Sequence, residues 1–208
     1  CNMEIEKTTI HNVDFTKSSI FLADFTKSDL KNVRFDMTNC YNCIFDNIDI
    51  SEIKIAKNNI YPTNFAASSF KNVDFRNWEH GKIDFSAKYV MGCGGEEWIL
   101  LPASDLTGSN FSGVDLKNIN FTRGKATDII NLSNVDFSFA DLSYHNLKHA
   151  KLVGANLSNS DLTGVDFTNA DLYGANLTDA NLDGAILDNA ILTDANLNCI
   201  NHPICVSD

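Results

Sequence analysis

Six cysteines, five histidines and 27 acidic side chains are the residues of this 208-residue chain that could do chemistry, and their spacing decides which chemistry. Cys40 and Cys43 fall where neighbouring segments place apolar or small residues, so they read as packed core thiols. Cys199 and Cys205 lie in the tail "NCINHPICVSD", where Pro203 forces a turn. A disulfide between them would staple a C-terminal cap in an oxidising compartment. Cys93 sits among glycines, and Cys1 opens the sequence. Cys1 reads either as a trimmed boundary or as the lipid-bearing residue of a bacterial lipoprotein.

His145 and His149 have the four-residue spacing of a zinc pair, but that spacing converges on a metal only when a helix carries it. The glycines of "GCGG" lack the Lys-Ser/Thr of a phosphate loop. No Ser, His and acid cluster is recognisable. The expectation is a chain with no catalytic residues, no metal and no cofactor.

The acids are unevenly spread. Of the 16 basic and 27 acidic residues, 11 and 14 lie in positions 1–104, and no Lys or Arg follows Lys151. Phosphate contacts need cations, which argues against direct nucleic-acid binding. No apolar run reaches the roughly 18 residues that span a bilayer. The cytoplasm is the favoured location, with export or attachment through Cys1 as the alternatives.

These residues are positioned by a period of five. Ile10, Phe15, Ile20, Phe25, Leu30, Phe35, Cys40, Phe45, Ile50, Ile55, Ile60, Phe65, Phe70, Phe75 and, after a lapse at His80, Phe85 recur at that interval. The residue two before each is small or β-branched, as at Val13, Ser18, Ala23 and Val33, and an Asp or Asn usually stands between. Five matches neither the helical nor the simple strand period. Two inward residues flanking one outward residue, then a two-residue corner, describe one side of a square coil.

Motifs also recur at 20 residues, with "NVDF" at 12–15, "NVRF" at 32–35, "EIKI" at 52–55 and "NVDF" at 72–75. That spacing predicts one column of Phe15, Phe35, Ile55 and Phe75 and an opposite column of Phe25, Phe45, Phe65 and Phe85. The pattern resumes with Leu106, Phe111, Leu116 and Phe121, and again from Leu132 to Leu197, after two one-residue slips.

The text "ANLSNSDLTGVDFTNADLYGANLTDANLDGA" resembles the pentapeptide-repeat family, with its A-(D/N)-L-x-x consensus. The resemblance implies an all-β, right-handed quadrilateral parallel β-helix of about nine coils, on the order of 40 Å tall at roughly 4.8 Å per layer. Residues 1–85 and 99–198 read as two runs of coils, with 86–98 as a protruding insertion and 199–208 as a cap. Ile99 and Leu101 read as the resumption of the wall.

Function is expected on the interruptions, because loops on a rigid scaffold carry it more often than the scaffold does. Tyr89, Cys93, Glu96, Glu97 and Trp98 are the candidate partner-binding residues; Trp98 either anchors a partner or folds back over the coil. "RGKATDI" at 123–129 is a second irregularity. The leading expectation is a non-enzymatic scaffold for a protein partner. The resemblance also raises a DNA mimic that binds gyrase, although Asp179, Asp183, Asp188 and Asp194 fall on successive sides and not on one. Self-association end to end through the first coil is a further expectation.

Overall fold

The computed structural model describes the chain apart from residues 1–8, 27, 57–60, 77, 79, 87, 92–97, 102, 115, 117–118, 123–128 and 207–208, and gives the backbone alone at 88–91 and 98–101. The described elements are short strands and isolated parallel bridges that wind into a four-sided β-solenoid. Each side is one five-residue unit, and its corner explains the spacing. The amide of Ser18 donates to the carbonyl of Phe15 at 2.9 Å, closing a four-residue turn whose third residue, Lys17, has φ 61°. That is the pattern of a type II turn, which Gly and Asn enter most easily. Asn12, Asn32, Asn42, Asn47, Gly154 and Gly174 occupy the equivalent corners.

The outward Asp or Asn serves the same corner. Asp161 Oδ1 accepts the Thr163 amide at 3.0 Å and the Thr163 hydroxyl at 2.6 Å. The same bond recurs from Asp14 to Thr16 at 2.8 Å and from Asp171 to Tyr173 at 3.1 Å. Asp105, Asp136, Asp141, Asp161, Asp166 and Asp171 in the second half therefore serve turns, each supplying an acceptor to an amide the coil leaves open.

Four walls follow in chain order, centred in the lower coils on Ile10, Phe15, Ile20 and Phe25. The third wall is a five-stranded parallel sheet of Ser19–Phe21, Asn39–Tyr41, Thr63–Asn64, Ile83–Asp84 and Ile119–Asn120. The fourth wall is a ladder running through Asp24, Ile44, Ser69, Asp105, Asn131, Lys151, Asp171 and Ile191. Phe25, Phe35, Phe45, Phe65, Phe75 and Phe85 are fully buried between the walls, and Phe15 packs partly buried at the lower end. Each buried ring contributes about 1.5–3 kcal/mol over exposure, and stacked pairs add about 0.5–1.5 kcal/mol.

The register departs from the strict 20-residue expectation. Phe45 stacks on Phe25 at 4.7 Å, but its upper neighbour at 4.7 Å is Phe70, not Phe65. Phe75 stacks on Phe111 at 4.1 Å. The cause is one complete extra side: Arg34 pairs with Lys54 at the normal spacing, whereas Asn39 pairs with Asn64 and Ile44 with Ser69, each 25 residues on. Five added residues preserve the inward and outward pattern and move the chain round by one wall. Phe65 consequently lies in the third wall, stacked with Phe85, and Phe85 with Phe121.

Candidate functional site

Two larger insertions interrupt the ladders. Ser69 pairs with Asp105, 36 residues on, and Asp105 pairs with Asn131, 26 residues on. These are sixteen and six residues more than an uninterrupted coil. The third wall is already complete at Ile83–Asp84 and at Ile119–Asn120, so each excursion begins just after Phe85 and just after Phe121. Those two rings are stacked neighbours. Both insertions therefore leave the solenoid at one edge, between the third and fourth walls, in adjacent layers.

The first excursion closes on itself. The Ser104 amide donates to the Phe85 carbonyl at 2.9 Å, the same turn bond that an ordinary corner makes. Between them, Lys88–Met91 and Trp98–Leu101 pair antiparallel, with Tyr89 opposite Leu100 and Trp98 opposite Met91. Ile99 and Leu101 belong to this hairpin and do not resume the wall, as the sequence reading had them do. The wall restarts at buried Ala103 and Leu106, because only there do the inward positions and the turn bond return. Tyr89 and Trp98 thus stand on opposite hairpin strands, while Cys93, Glu96 and Glu97 lie outside the described residues.

The same edge carries an apolar ridge below the hairpin. Phe21 and Tyr41, one coil apart at this corner, have rings 5.3 Å apart. With Ala66 and Ala67 they form a second apolar cluster outside the tube, in which Tyr41 is 6% and Ala66 1% exposed. Above the hairpin the corner residues are Lys148 and His149, and Lys148 reaches Asp166 at 2.9 Å.

Cys40 and Cys43 span this corner too. They are fully buried, as expected, but they are disulfide-bonded and not free thiols, with Cα atoms 5.8 Å apart. The reason is the turn itself, which brings a central residue and the inward residue three later within bonding reach. The Cys-x-x-Cys spacing in "CYNC" was the available signal. Cys199 and Cys205 form a second disulfide, Cα atoms 5.0 Å apart, in the tail.

The other sequence candidates are dispersed. His145 points inward, its ring nitrogens 3.0 Å from the Leu142 carbonyl and 3.1 Å from that of Leu116, and His149 turns out at a corner with φ 60°. Among the described residues no group of His, Cys, Asp and Glu is placed to hold a metal. The sequence reading passed over Trp78, whose indole donates to the Ile53 carbonyl at 2.8 Å and fills the wall where His80 breaks the pattern. A polar cleft beside it is lined by Asn47, Asp49, Ser51, Asn72, Asp74 and Trp78. Its acids are already engaged in turns and an ion pair: Asp49 accepts the Ser51 amide, and Asp74 holds Arg76 at 2.7 Å. The segment 1–8, on which end-to-end association through the first coil would depend, lies outside the described residues.

The family model described as "Pentapeptide repeats" matches residues 101–123, 130–169 and 170–201 in eight copies. The break between 123 and 130 falls on the six-residue insertion. A pentapeptide repeat protein of the Arabidopsis thaliana thylakoid lumen is 29% identical over 50% of this chain and 66% of its own length, with a TM-score of 0.34. Rfr23, a pentapeptide repeat protein of the cyanobacterium Cyanothece, is 22% identical over 81% of this chain and 90% of its own, with a TM-score of 0.38. QnrB1, a plasmid-mediated fluoroquinolone resistance protein, is 17% identical over 97% of this chain and 94% of its own, with a TM-score of 0.29. No curated protein matches this chain.

Proposed function

We propose, for a chain that belongs to the pentapeptide-repeat family, the role of a non-enzymatic scaffold that docks a protein partner along the edge between its third and fourth walls. The observation that carries this reading is the convergence of the two long insertions on one edge, in adjacent layers, while the walls regain register after each. A tolerated insertion has no reason to choose the same edge twice. Tyr89 and Trp98 supply large rings on the hairpin for partner contact, and Arg123 and Lys125 of the second insertion are the only Lys or Arg between Lys117 and Lys148.

Two disulfides support residence in an oxidising compartment over the cytoplasm. The experiment is photocrosslinking from Tyr89, replaced by a benzophenone amino acid, beside the same probe at Ser69 on the fourth wall. The edge reading expects a product from position 89 that is absent from position 69 and is suppressed by an excess of the unlabelled parent chain but not by an excess of a chain lacking residues 87–102. Identical products from both positions, or equal suppression by the two competitors, would defeat it. The gyrase-binding alternative is read in a supercoiling assay. Inhibition at micromolar chain that survives loss of the hairpin would replace the edge reading.

A further inference from the structure

From Asn156 upward the outward wall positions hold Asp or Asn until the final coil, where three of them are isoleucine. Ile186, Ile191 and Ile200 stand above Asp166, Asp171 and Asn181 and are 43%, 50% and 48% exposed. An isoleucine there caps no turn, and in water it forfeits the burial free energy that its side chain could gain. Beneath them Leu187, Ala190, Leu192 and Ala195 close the core only partly buried.

The same coil ends a hydrogen-bond ladder. Lower down, each central amide donates to the next layer, as Phe167 does to Ile186 and Leu172 to Ile191, both at 2.8 Å. Among the described residues the amides of Leu187, Asn189, Leu192 and Asp194 have no acceptor, and the carbonyls of Ala185 and Ala190 have no donor. Each of two sides of the open strand edge thus presents one acceptor followed by two donors, flanked by an exposed isoleucine.

We propose that this edge binds an extended segment of another protein by strand addition, and that the segment alternates apolar with basic residues. The backbone groups of each side specify an extended strand, and the exposed isoleucine on each, Ile186 on the third wall and Ile191 on the fourth, specifies an apolar side chain beside it. Charge specifies the rest. Asp179, Asp183, Asp188 and Asp194 surround the edge, and no Lys or Arg follows Lys151. A second copy of this chain would bring the same acids against them, whereas a basic strand neutralises them.

The test is fluorescence anisotropy of the full chain with a labelled peptide of alternating valine and lysine. Two companion peptides are used, one with glutamate in place of lysine and one N-methylated on alternate backbone amides. The valine-lysine peptide binds, and each companion binds about tenfold more weakly or worse. Ile186→Asp and Ile191→Asp each weaken binding about tenfold. Both variants remain folded, because Asp166 and Asp171 hold the same positions one coil below and accept the Thr168 and Tyr173 amides. Equal binding of the N-methylated peptide would reduce the interaction to charge alone and overturn the proposal. So would isoleucine variants that bind as the parent does, or no binding at all. A chain that sediments as a dimer, and as a monomer once Ile186→Asp is introduced, would assign the edge to a second copy and overturn it as well.

Discussion

Removing residues 87–102 should leave the solenoid folded, because it takes out sixteen residues and the ladder between Ser69 and Asp105 exceeds one coil by that number. The deletion joins Phe85-Ser86 to Ala103-Ser104. The Ser104 amide already bonds the Phe85 carbonyl at 2.9 Å, so the junction is an ordinary corner, comparable to Ser109 on Leu106 at 3.1 Å. Ala103 would occupy the left-handed position, which Ala67 holds at φ 58° elsewhere, and Ala103→Gly relieves the cost. Shortening the excursion to two residues saves about three doublings of loop length, or about 1.8 kcal/mol of closure entropy. The lost hairpin bonds oppose that gain, so the urea midpoint should stay close to the parent's or rise. Removing only 87–101 is the decisive comparison. It leaves one extra residue at the corner, which must either bulge there or place Asp105 where an inward side chain belongs. That variant should have a lower urea midpoint than the sixteen-residue deletion and the parent. A sixteen-residue deletion that unfolds, or a fifteen-residue deletion as stable as the parent, would refute the layer assignment.

Phe45→Ala empties a site between two rings, each 4.7 Å away, and should cost about 3–5 kcal/mol in urea denaturation; Phe139→Asn, at an exposed left-handed corner, should cost nothing or stabilise. The hydrogen bonds from the Arg76 side chain hold the Asp74 carboxyl below its ordinary value against the opposing effect of burial, with the Arg76 amide and charge adding to them. Its contribution to stability is therefore complete above the usual carboxylate range and vanishes as pH falls through the lowered value. The difference in urea midpoint between parent and Asp74→Asn should be present at neutral pH and close in acid. Thiol labelling of the native chain without reductant should leave Cys40, Cys43, Cys199 and Cys205 unmodified, as read by mass spectrometry of the peptides. Each bridge closes a short loop and is worth about 2 kcal/mol on the chain-entropy account, so reduction should lower the midpoint.

Side-chain direction was legible in the residues because it is decided within five of them. A central Phe, its small partner two before and the Asp between them are set by one strand and one type II corner, which needs no distant contact. The burial of Phe25, Phe35 and Phe45 follows directly from that. Stacking was not legible, because adding a whole side leaves every residue in phase with the period of five. Only the ladder from Ile44 to Ser69 reveals that Phe70, and not Phe65, lies on Phe45. The edge shared by the two insertions was hidden for the same reason: which corner a residue occupies depends on how many sides precede it in space. The bond between Cys40 and Cys43 lay between these cases, since a local turn places the two sulfurs but only the closed corner brings them into contact. Local backbone geometry thus determined what points inward, and the winding of the whole chain decided what lies above what.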